Sequence, residues 1–285
     1  MKKFIKTWIL PLVPYGLWKF IGLYNINSLF RYLSNFQFIS KNKALKNRHA
    51  EDARCFIVCN GPSINEQNLI PLKDEIVFSV SSGHLYENFS KISPRYHCVP
   101  QITYQLMTEG DVKAWFKEMD AALGKAEIFL SDTERCLVDE QGLFQNRSVY
   151  YLNLGRQFKE NEESIVNLQG IVPRGASVPI MCLMIAMYMG FKKIYLLGVE
   201  HNSFQTNTYA YAFQPTILKD KDISVDKNSN LRGPLYDTLK SSVILWEQYR
   251  ALKVIAKKNG VEIFNATKGG ALDEFERVDL ESLLA

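Results

Sequence analysis

The chain has 285 residues, of which 47% are hydrophobic and 22% charged, so it is long enough for one large folded domain with a sizeable core. The net charge of +4 is mild and does not indicate nucleic acid as a partner. The five cysteines are scattered and odd in number, which argues against a disulfide framework and indicates buried thiols in a reducing compartment.

The first fifty residues differ in kind from the rest of the chain. Three lysines precede an apolar run at 8–18, which two prolines interrupt, so the run is too short for a membrane span of roughly 20 residues. The aromatic and basic segment at 15–38 is typical of a helix lying on an anionic membrane, and packing on the core or on another subunit is the alternative. With a polar linker at 39–53, these features predict an extension over 1–50 and a folded domain over 51–285.

The first predicted strand lies at 55–59, an apolar run without polar alternation, as is typical of a strand buried on both faces of a parallel sheet. A turn at 60–62 follows, and Ser63 stands three residues before Glu66, which is the spacing of a capping box at a helix start. Such a junction leaves backbone N–H groups free at the end of a strand, where they suit a nucleotide phosphate. An ordinary strand-to-helix connection is the alternative.

The later elements alternate between the two types. Further strands are predicted at 75–80, 96–99, 126–130, 148–154 (as an edge strand), 194–197 and 261–264, and helices at 111–123, 178–189 and 243–256. This alternation indicates βαβ units, so the predicted fold class is α/β, with a Rossmann-like, mostly parallel sheet flanked by helices.

A second motif begins at Arg174, just before the almost wholly apolar helix. Ser177 is a good N-cap for this helix, and the helix start beside Arg174 is a second candidate site for a phosphate or carboxylate. A capped core helix with a surface arginine is the alternative. Residues 198–202 follow the buried strand at 194–197, and ligands of open α/β sheets bind at such strand ends.

The segment at 203–240 is polar, contains tyrosines and has no clear periodicity, so we interpret it as a lid over the strand ends. Asp220-Lys221-Asp222 formally matches an Asp-x-Asp metal motif, but its alternating charges favour a solvated loop. We therefore predict no metal site.

Three of these stretches resemble a known family. Residues 57–63 (I-V-C-N-G-P-S) look like the nucleotide-binding motif of the bacterial sialyltransferases of glycosyltransferase family 42. The run from Arg174 to Glu200 resembles the second signature of that family, and 208–213 resembles the beginning of its lid. Residues 265–275 are more similar to a broader group, which includes motility-associated flagellin glycosyltransferases and archaeal 6-hydroxymethylpterin diphosphokinases.

The resemblance implies a GT-A-like variant of the Rossmann fold and a metal-independent, inverting transferase without a cofactor. Its donor would be a CMP-activated acidic sugar, such as sialic acid or a related nonulosonate, and its acceptor a surface glycan or glycolipid. The implied place is the cytoplasm, peripheral on the inner face of the plasma membrane, and the aromatic N-terminal segment could also serve a contact between subunits. An ATP-dependent diphosphokinase that needs magnesium and a non-catalytic nucleotide-binding protein are the alternatives.

The resemblance also implies roles for single residues. It assigns the nucleotide to Asn60 and Gly61, the sugar carboxylate to Ser177, and the acceptor side or the anionic donor to Arg174. The candidates for donor binding are Asn60, Gly61, Pro62, Ser63, Ser81, Ser82, Arg174, Gly175, Ser177, Glu200, Asn202, Tyr209 and Tyr211.

The general base is left open, because the family has a lid histidine and this chain has none after His201. His201 is the first candidate, since it follows a strand beside the predicted cleft, and His84 is the second. Glu200, Tyr236 and Asp237 are further candidates. Two asparagines of the family are also missing, one near Ser81-Ser82 and one near Pro100-Gln101.

Overall fold

The computed structural model describes residues 23–51, 54–99, 102, 106–206, 208, 210–213, 217, 226, 228 and 230–284. The strands within these residues are β1 (Arg54–Val58), β2 (Val77–Val80), β3 (Tyr96–Cys98), β4 (Glu127–Ser131), β5 (Val149–Gln157), β6 (Ile171–Arg174), β7 (Lys193–Leu197), β8 (Glu262–Asn265) and β9 (Glu276–Arg277). They form one sheet in the order β6-β5-β4-β3-β2-β1-β7-β8-β9, and every neighbouring pair is parallel.

Helices cover both faces of this sheet. They are α1 (Leu23–Ile39), α2 (Phe89–Ile92), α3 (Glu109–Ala122), α4 (Arg135–Gln141), α5 (Val178–Tyr188), α6 (Ser203–Thr206), α7 (Leu235–Lys258) and α8 (Leu280–Leu284). The α/β, Rossmann-like fold with a parallel sheet flanked by helices is therefore confirmed. None of the helices among the described residues is both long and apolar enough to cross a membrane.

The strand order reverses beside β1. The chain adds β2 to β6 successively on one side of β1 and then returns to place β7 on its other side. The last residues of β1 and β7, Val58 and Leu197, are register partners, so both strands end at the same level. Ligands of open parallel sheets bind outside the strand ends at such a switch point. Here the crevice is bordered by residues 59–63 after β1 and 198–202 after β7.

The core is centred on α5, which is buried from Pro179 to Tyr188 and packs on β1, β2 and β7. Its apolar character all round the helix predicts this position, because no face of it is suited to water. The cysteines Cys55, Cys59, Cys98 and Cys182 are buried around it, as expected, and Cys136 is exposed.

Two sheet predictions are wrong. Residues 148–154 do not form an edge strand, because β6 pairs with β5 on its outer side. The sequence does not indicate β6, because Pro173 lies within it and proline is rare inside strands. Proline is nevertheless tolerated in an edge strand, where one row of N–H groups faces away from the sheet. The two-residue β9 gives no sequence pattern and was also missed.

The linker prediction at 39–53 is wrong for the first part of that segment, because Ile39 and Leu45 are fully buried. Asn42 is buried as well, and its Nδ2 donates to the carbonyl oxygens of Tyr151 and Leu168, both at 2.8 Å. The segment around Asn42 is thus part of the folded body, although the lysines at 41, 43 and 46 are exposed. Residues 1–22, which hold the basic and apolar start of the extension, lie outside the described residues.

Helix α1 packs along β5 and runs in the opposite direction to it. Asn42, just beyond α1, is bonded near the start of β5, whereas Arg31 Nη2 donates to the carbonyl oxygen of Leu154 at 2.6 Å, further along the strand. The N-terminal end of α1 therefore points towards the edge of the sheet where the strands end. Packing on the core, one of the two sequence interpretations, holds for this helix.

Candidate active site

The turn after β1 and the turn after β7 are in direct contact. The N–H of Gly61 donates to the carbonyl oxygen of Gly198 at 3.1 Å, and the N–H of Ser63 donates to Glu200 Oε1 at 2.7 Å. A Cβ atom on Gly61 would lie 2.6 Å from the Gly198 oxygen and would clash with the Glu200 carboxylate. Glycine at position 61 is thus required by close approach rather than by an unusual φ.

This contact corrects the interpretation of the first motif. The chain forms only a five-residue 3₁₀ turn at Pro62–Glu66, its N-cap position is Gly61, and no side chain caps it. The predicted capping box of Ser63 and Glu66 is therefore wrong. The Ser63 N–H, offered by the sequence to a phosphate, is occupied by the buried carboxylate of Glu200. The carboxylate of Glu200 therefore joins the turn after β1 to the turn after β7.

The side chain of Ser63 remains of interest, because its Oγ is buried and has no hydrogen-bond partner among the described residues. Buried hydroxyls are normally paired, so an unpaired one is a candidate for a ligand or an ordered water. Pro62, by contrast, is exposed on the turn.

Asn60 joins three segments at the end of β1. Its Nδ2 lies 3.3 Å from the carbonyl oxygen of Val80, the last residue of β2, and its own carbonyl oxygen accepts the N–H of Ala212 at 2.9 Å. Asn65 Nδ2 donates to the carbonyl oxygen of Ala212 at 2.6 Å. The described residues of the predicted lid, around 210–213, are therefore attached to the first turn. Tyr211 is half-buried there, and Tyr209 lies outside the described residues.

Two histidines lie in and beside β2 and β3: His84 is in the turn that follows β2, and His97 is in β3. Ser81 follows β2 with a φ of 47°, a left-handed conformation that is uncommon for residues other than glycine. Ser82 is buried. His84 Nε2 lies 3.2 Å from Glu118 Oε2. The other ring nitrogen, His84 Nδ1, is buried and has no hydrogen-bond partner among the described residues. Observed backbone strain of this kind is frequent at functional sites, so it supports a role for this loop.

His97 in β3 is a structural histidine. Its Nε2 lies 2.9 Å from the carbonyl oxygen of Ser81 and therefore carries the proton, while its Nδ1 lies 2.7 Å from Ser79 Oγ and accepts. Burial lowers the pKa of His97 to about 3, with a smaller contribution from His84. The imidazole is thus neutral in the folded protein near neutral pH.

We expect His97 to make the protein acid-sensitive. In the unfolded chain it regains its ordinary pKa of 6.5, so the unfolded state binds one more proton between about pH 6.5 and pH 3. The free energy of unfolding should therefore fall by about 2 kcal/mol between pH 7 and pH 5 through this residue. Urea unfolding at both pH values tests this, and His97→Gln should show a flatter pH dependence. An unchanged slope in the variant would contradict this assignment.

His201 lies at the end of the β7 loop, also with a positive φ of 48°. Its Nε2 lies 2.8 Å from the hydroxyl of Tyr249, and its ring contacts Trp246, both from α7. Burial lowers the pKa of His201 to about 4, so the side chain is neutral near pH 7 and able to accept a proton. Asn202 follows, and its carbonyl oxygen accepts the N–H of Gln205 in α6.

The second motif lies at the same edge of the sheet, after β6. Ser177 occupies the N-cap position of α5 as predicted, but its hydroxyl makes no capping bond. The N–H of Ala176 donates to Gln248 Oε1 at 2.7 Å, and Gln248 Nε2 donates to the carbonyl oxygen of Phe158 at 2.9 Å. Gly175 is required by close packing, since a Cβ there would lie 2.8 Å from Ile180. Arg174 is half-buried at the end of β6.

Helix α7 connects the two motifs. Gln248 contacts the loop before Ser177, and its neighbour Tyr249 contacts His201. The sequence analysis identified neither residue as part of the site. Gln248 could have been found, because it lies on the apolar face of a helix and a fully buried amide needs several hydrogen-bond partners.

The C-terminal loop completes the crevice wall and was also not identified. The N–H of Ala271 donates to the carbonyl oxygen of Glu200 at 2.6 Å, and Thr267 Oγ1 accepts the N–H of Val199 at 3.1 Å. Arg277 donates to carbonyl oxygens of this loop, including that of Gly269 at 2.6 Å.

One predicted catalytic residue lies apart from the crevice. Tyr236 is 70% exposed in the first turn of α7, and it precedes Tyr249 by thirteen residues, or roughly 20 Å along a helix. Pro100-Gln101 and Asp220-Lys221-Asp222 lie outside the described residues. Within the described part of the chain, no three His, Cys, Asp or Glu side chains are grouped so as to hold a metal ion.

Neither a protein-family model nor a curated protein matches this chain. Among solved structures, it is similar to the sialyltransferase CstII from Campylobacter jejuni, which was solved with the substrate analogue CMP-3FNeuAc. The TM-score is 0.37 and the identity 15%, over 74% of this chain and 79% of that chain. A similarity of this size does not carry a function from one protein to the other.

Proposed function

We propose that this chain is a glycosyltransferase that moves an acidic sugar from a CMP donor to a glycan or glycolipid acceptor. The observation that carries the proposal is the position of the switch point: the strand order reverses between β1 and β7, whose ends bear the Asn60-Gly61 turn and the Gly198 to Asn202 loop. A nucleotide is the usual ligand of such a crevice. The family resemblance of residues 57–63 supports the same ligand.

The nucleotide would lie against Asn60 and the turn that follows it. Asn60 can use the oxygen of its amide, since the donor group already faces Val80. The unpaired Ser63 Oγ provides a hydroxyl nearby. Glu200 accepts the Ser63 N–H and so holds the turn after β1 in place, and in this arrangement its carboxylate does not contact the anionic donor.

The sugar carboxylate would bind at the second junction. The uncapped Ser177 hydroxyl and the N-terminus of α5 are suited to a negative group, and Arg174 supplies a positive charge. Gln248 and Tyr249 hold this junction beside the His201 loop, so donor sugar and base belong to one connected set of residues.

His201 is the proposed general base for the acceptor hydroxyl. Its Nε2 is engaged with Tyr249, so Nδ1 would take the proton while Nε2–H donates to the tyrosine hydroxyl. An anionic donor beside the ring raises the pKa of the imidazole from its low value towards neutrality, which improves it as a base. His84 is the second candidate.

A second function is favoured by one observation. The 265–275 stretch, which is more similar to the diphosphokinase-containing group, contributes Thr267 and Ala271 to the crevice wall. An ATP-dependent diphosphokinase would use the same crevice with ATP and magnesium.

Thermal-shift measurements with CMP, CDP, UDP and ATP, each with and without magnesium, separate these functions. We expect CMP at saturating concentration to raise the melting temperature by about 3 °C without magnesium. Stabilisation by ATP with magnesium but not by CMP would replace the first proposal by the second.

Two substitutions test the site itself. Asn60→Ala should weaken CMP binding by about tenfold, because it removes the amide that faces the nucleotide. His201→Ala should leave CMP binding near its normal value and abolish transfer in a surface-glycan assay. Asn88→Ala, which lies outside the crevice, is the matched control. If neither variant differs from the control, the protein is a scaffold or sensor and the proposed site is wrong.

A further inference from the structure

Exposed apolar side chains are concentrated on two helices. Of the twelve large hydrophobic side chains that are exposed among the described residues, eight lie on α1 and on the first half of α7. They are Leu29, Phe30, Leu33 and Phe36 on α1, and Leu235, Tyr236, Leu239 and Val243 on α7. Single exposed hydrophobic residues need no explanation, but clusters on a surface indicate an interaction site.

Each group forms a stripe on its helix. The residues on α7 span roughly 100° around the helix axis, and those on α1 span about 120°. In α7 no residue from 235 to 247 is buried, whereas Gln248 and Tyr249 are fully buried. The stripe at 235–243 is therefore exposed, whereas Leu245 and Trp246 just beyond it pack against the core.

Both stripes lie at the edge of the sheet that bears the candidate active site. Tyr249 already contacts His201, which lies beyond the end of β7, so the residues before it extend further past the strand ends. The N-terminal end of α1 points the same way, because Arg31 is bonded near the end of β5. The two helices lie on opposite faces of the sheet, because Phe38 of α1 packs against one core cluster and Trp246 of α7 packs against the other.

The part of the chain up to the end of the α1 stripe is positively charged. Residues 1–36 hold five basic residues and no acidic one, while Lys41, Lys43, Lys46 and Arg48 lie beyond α1, towards the starts of the strands. The part of this segment outside the described residues, 1–22, is joined to α1 at Leu23, at this edge of the sheet. A positive segment and two separated apolar stripes at one edge match a broad anionic layer with an apolar interior.

We propose that residues 235–243 of α7 form a membrane-binding element, which together with residues 1–36 turns the active-site edge of the sheet towards an anionic bilayer. The bilayer contact does not depend on the proposed function. What rests on the proposed function is its consequence for the substrate: an acceptor reaching this crevice would be a membrane-anchored glycolipid rather than a soluble glycan.

The other partner that could cover the two apolar stripes is a second copy of the chain. A stable protein interface buries about 800 Å² per partner in one continuous patch. Two narrow stripes on helices that pack on opposite faces of the sheet do not form one such patch. The bilayer is therefore favoured by shape as well as by charge.

The first test uses the full chain and vesicles of phosphatidylcholine and phosphatidylglycerol in equal parts. The variant Leu235→Ser/Leu239→Ser/Val243→Ser should bind them about tenfold more weakly than the wild type. The control Ile70→Ser/Ile171→Ser/Val254→Ser removes three similarly exposed side chains elsewhere and should bind normally. Equal binding by both variants would overturn the proposal. CMP thermal shifts in the α7 variant show separately whether the crevice still binds a nucleotide.

The second test measures orientation. In a Cys136→Ser background, an environment-sensitive fluorophore is attached at Leu239→Cys or at Val254→Cys, two positions of similar exposure on α7. On adding vesicles, emission from position 239 should shift to shorter wavelength and that from position 254 should not. A shift at both positions, or at 254 alone, would overturn the proposal. A shift at 239 that follows protein concentration without vesicles would overturn it in favour of a second copy.

Discussion

Gly61→Ala is expected to lower the free energy of unfolding by at least about 3 kcal/mol and to abolish nucleotide binding. The added Cβ would lie 2.6 Å from the Gly198 carbonyl oxygen, a backbone atom, and would meet the Glu200 carboxylate as well. Glu200 cannot move away without leaving the Ser63 N–H unpaired in a buried position. The turns after β1 and β7 would have to separate, and the crevice between them would lose its shape.

Gly110→Ala is the matched control for this substitution. Its Cβ would have Thr108 Oγ1 as nearest neighbour, at an ordinary contact distance of 3.6 Å, and alanine is preferred to glycine within a helix such as α3. We expect it to be neutral or slightly stabilising in urea unfolding. If Gly61→Ala lies within about 0.5 kcal/mol of the wild type, the close contact at the switch point is not present in solution.

The second large effect concerns the attachment of α1. The side chain of Asp132 is fully buried and accepts from Asn153 Nδ2 at 2.6 Å and from Asn35 Nδ2 at 3.2 Å, while Arg31 Nε lies 3.4 Å away. Asp132→Ala would leave an arginine and two amides without their acceptor, so we expect a loss of about 3–5 kcal/mol in the free energy of unfolding.

Asp139→Ala serves as its control, because Asp139 is half-exposed and forms only an i, i+4 pair with Arg135. A surface pair of this kind contributes roughly 0.5 kcal/mol or less. Similar losses in both variants, measured by urea unfolding, would show that α1 is not held by the buried cluster. This contact also means that a deletion intended to remove the proposed membrane-binding segment has to stop before residue 23. Removing residues 1–40 would take away Arg31, Asn35 and the fully buried Ile39.

The central strands and α5 could be predicted from the sequence, because continuous apolar runs such as 55–59 and 178–189 have few other structures open to them. The elements that were missed depend on distant partners. Asn42 looks like a linker residue, yet its acceptors are 109 and 126 residues away. Such pairings leave no local pattern in the sequence.

Distant partners also limit what the sequence predicts about the candidate site. The sequence places Asn60, Ser177 and His201 at strand ends, and the structure brings them to one edge of the sheet. It does not indicate that Glu200 binds the Ser63 N–H, or that Gln248 and Tyr249 connect the two motifs, because these contacts span 137, 72 and 48 residues. The sequence therefore predicted where these residues lie better than it predicted which groups they contact.

Hydrogen exchange measured with and without a non-transferable CMP-sugar analogue tests most directly where a nucleotide binds. The proposal predicts slower exchange of backbone amides at 58–63 and 198–202, together with the Ala176 to Pro179 junction, and little change elsewhere. Protection confined to other segments, or none at saturating analogue, would contradict a nucleotide site at the β1/β7 switch point.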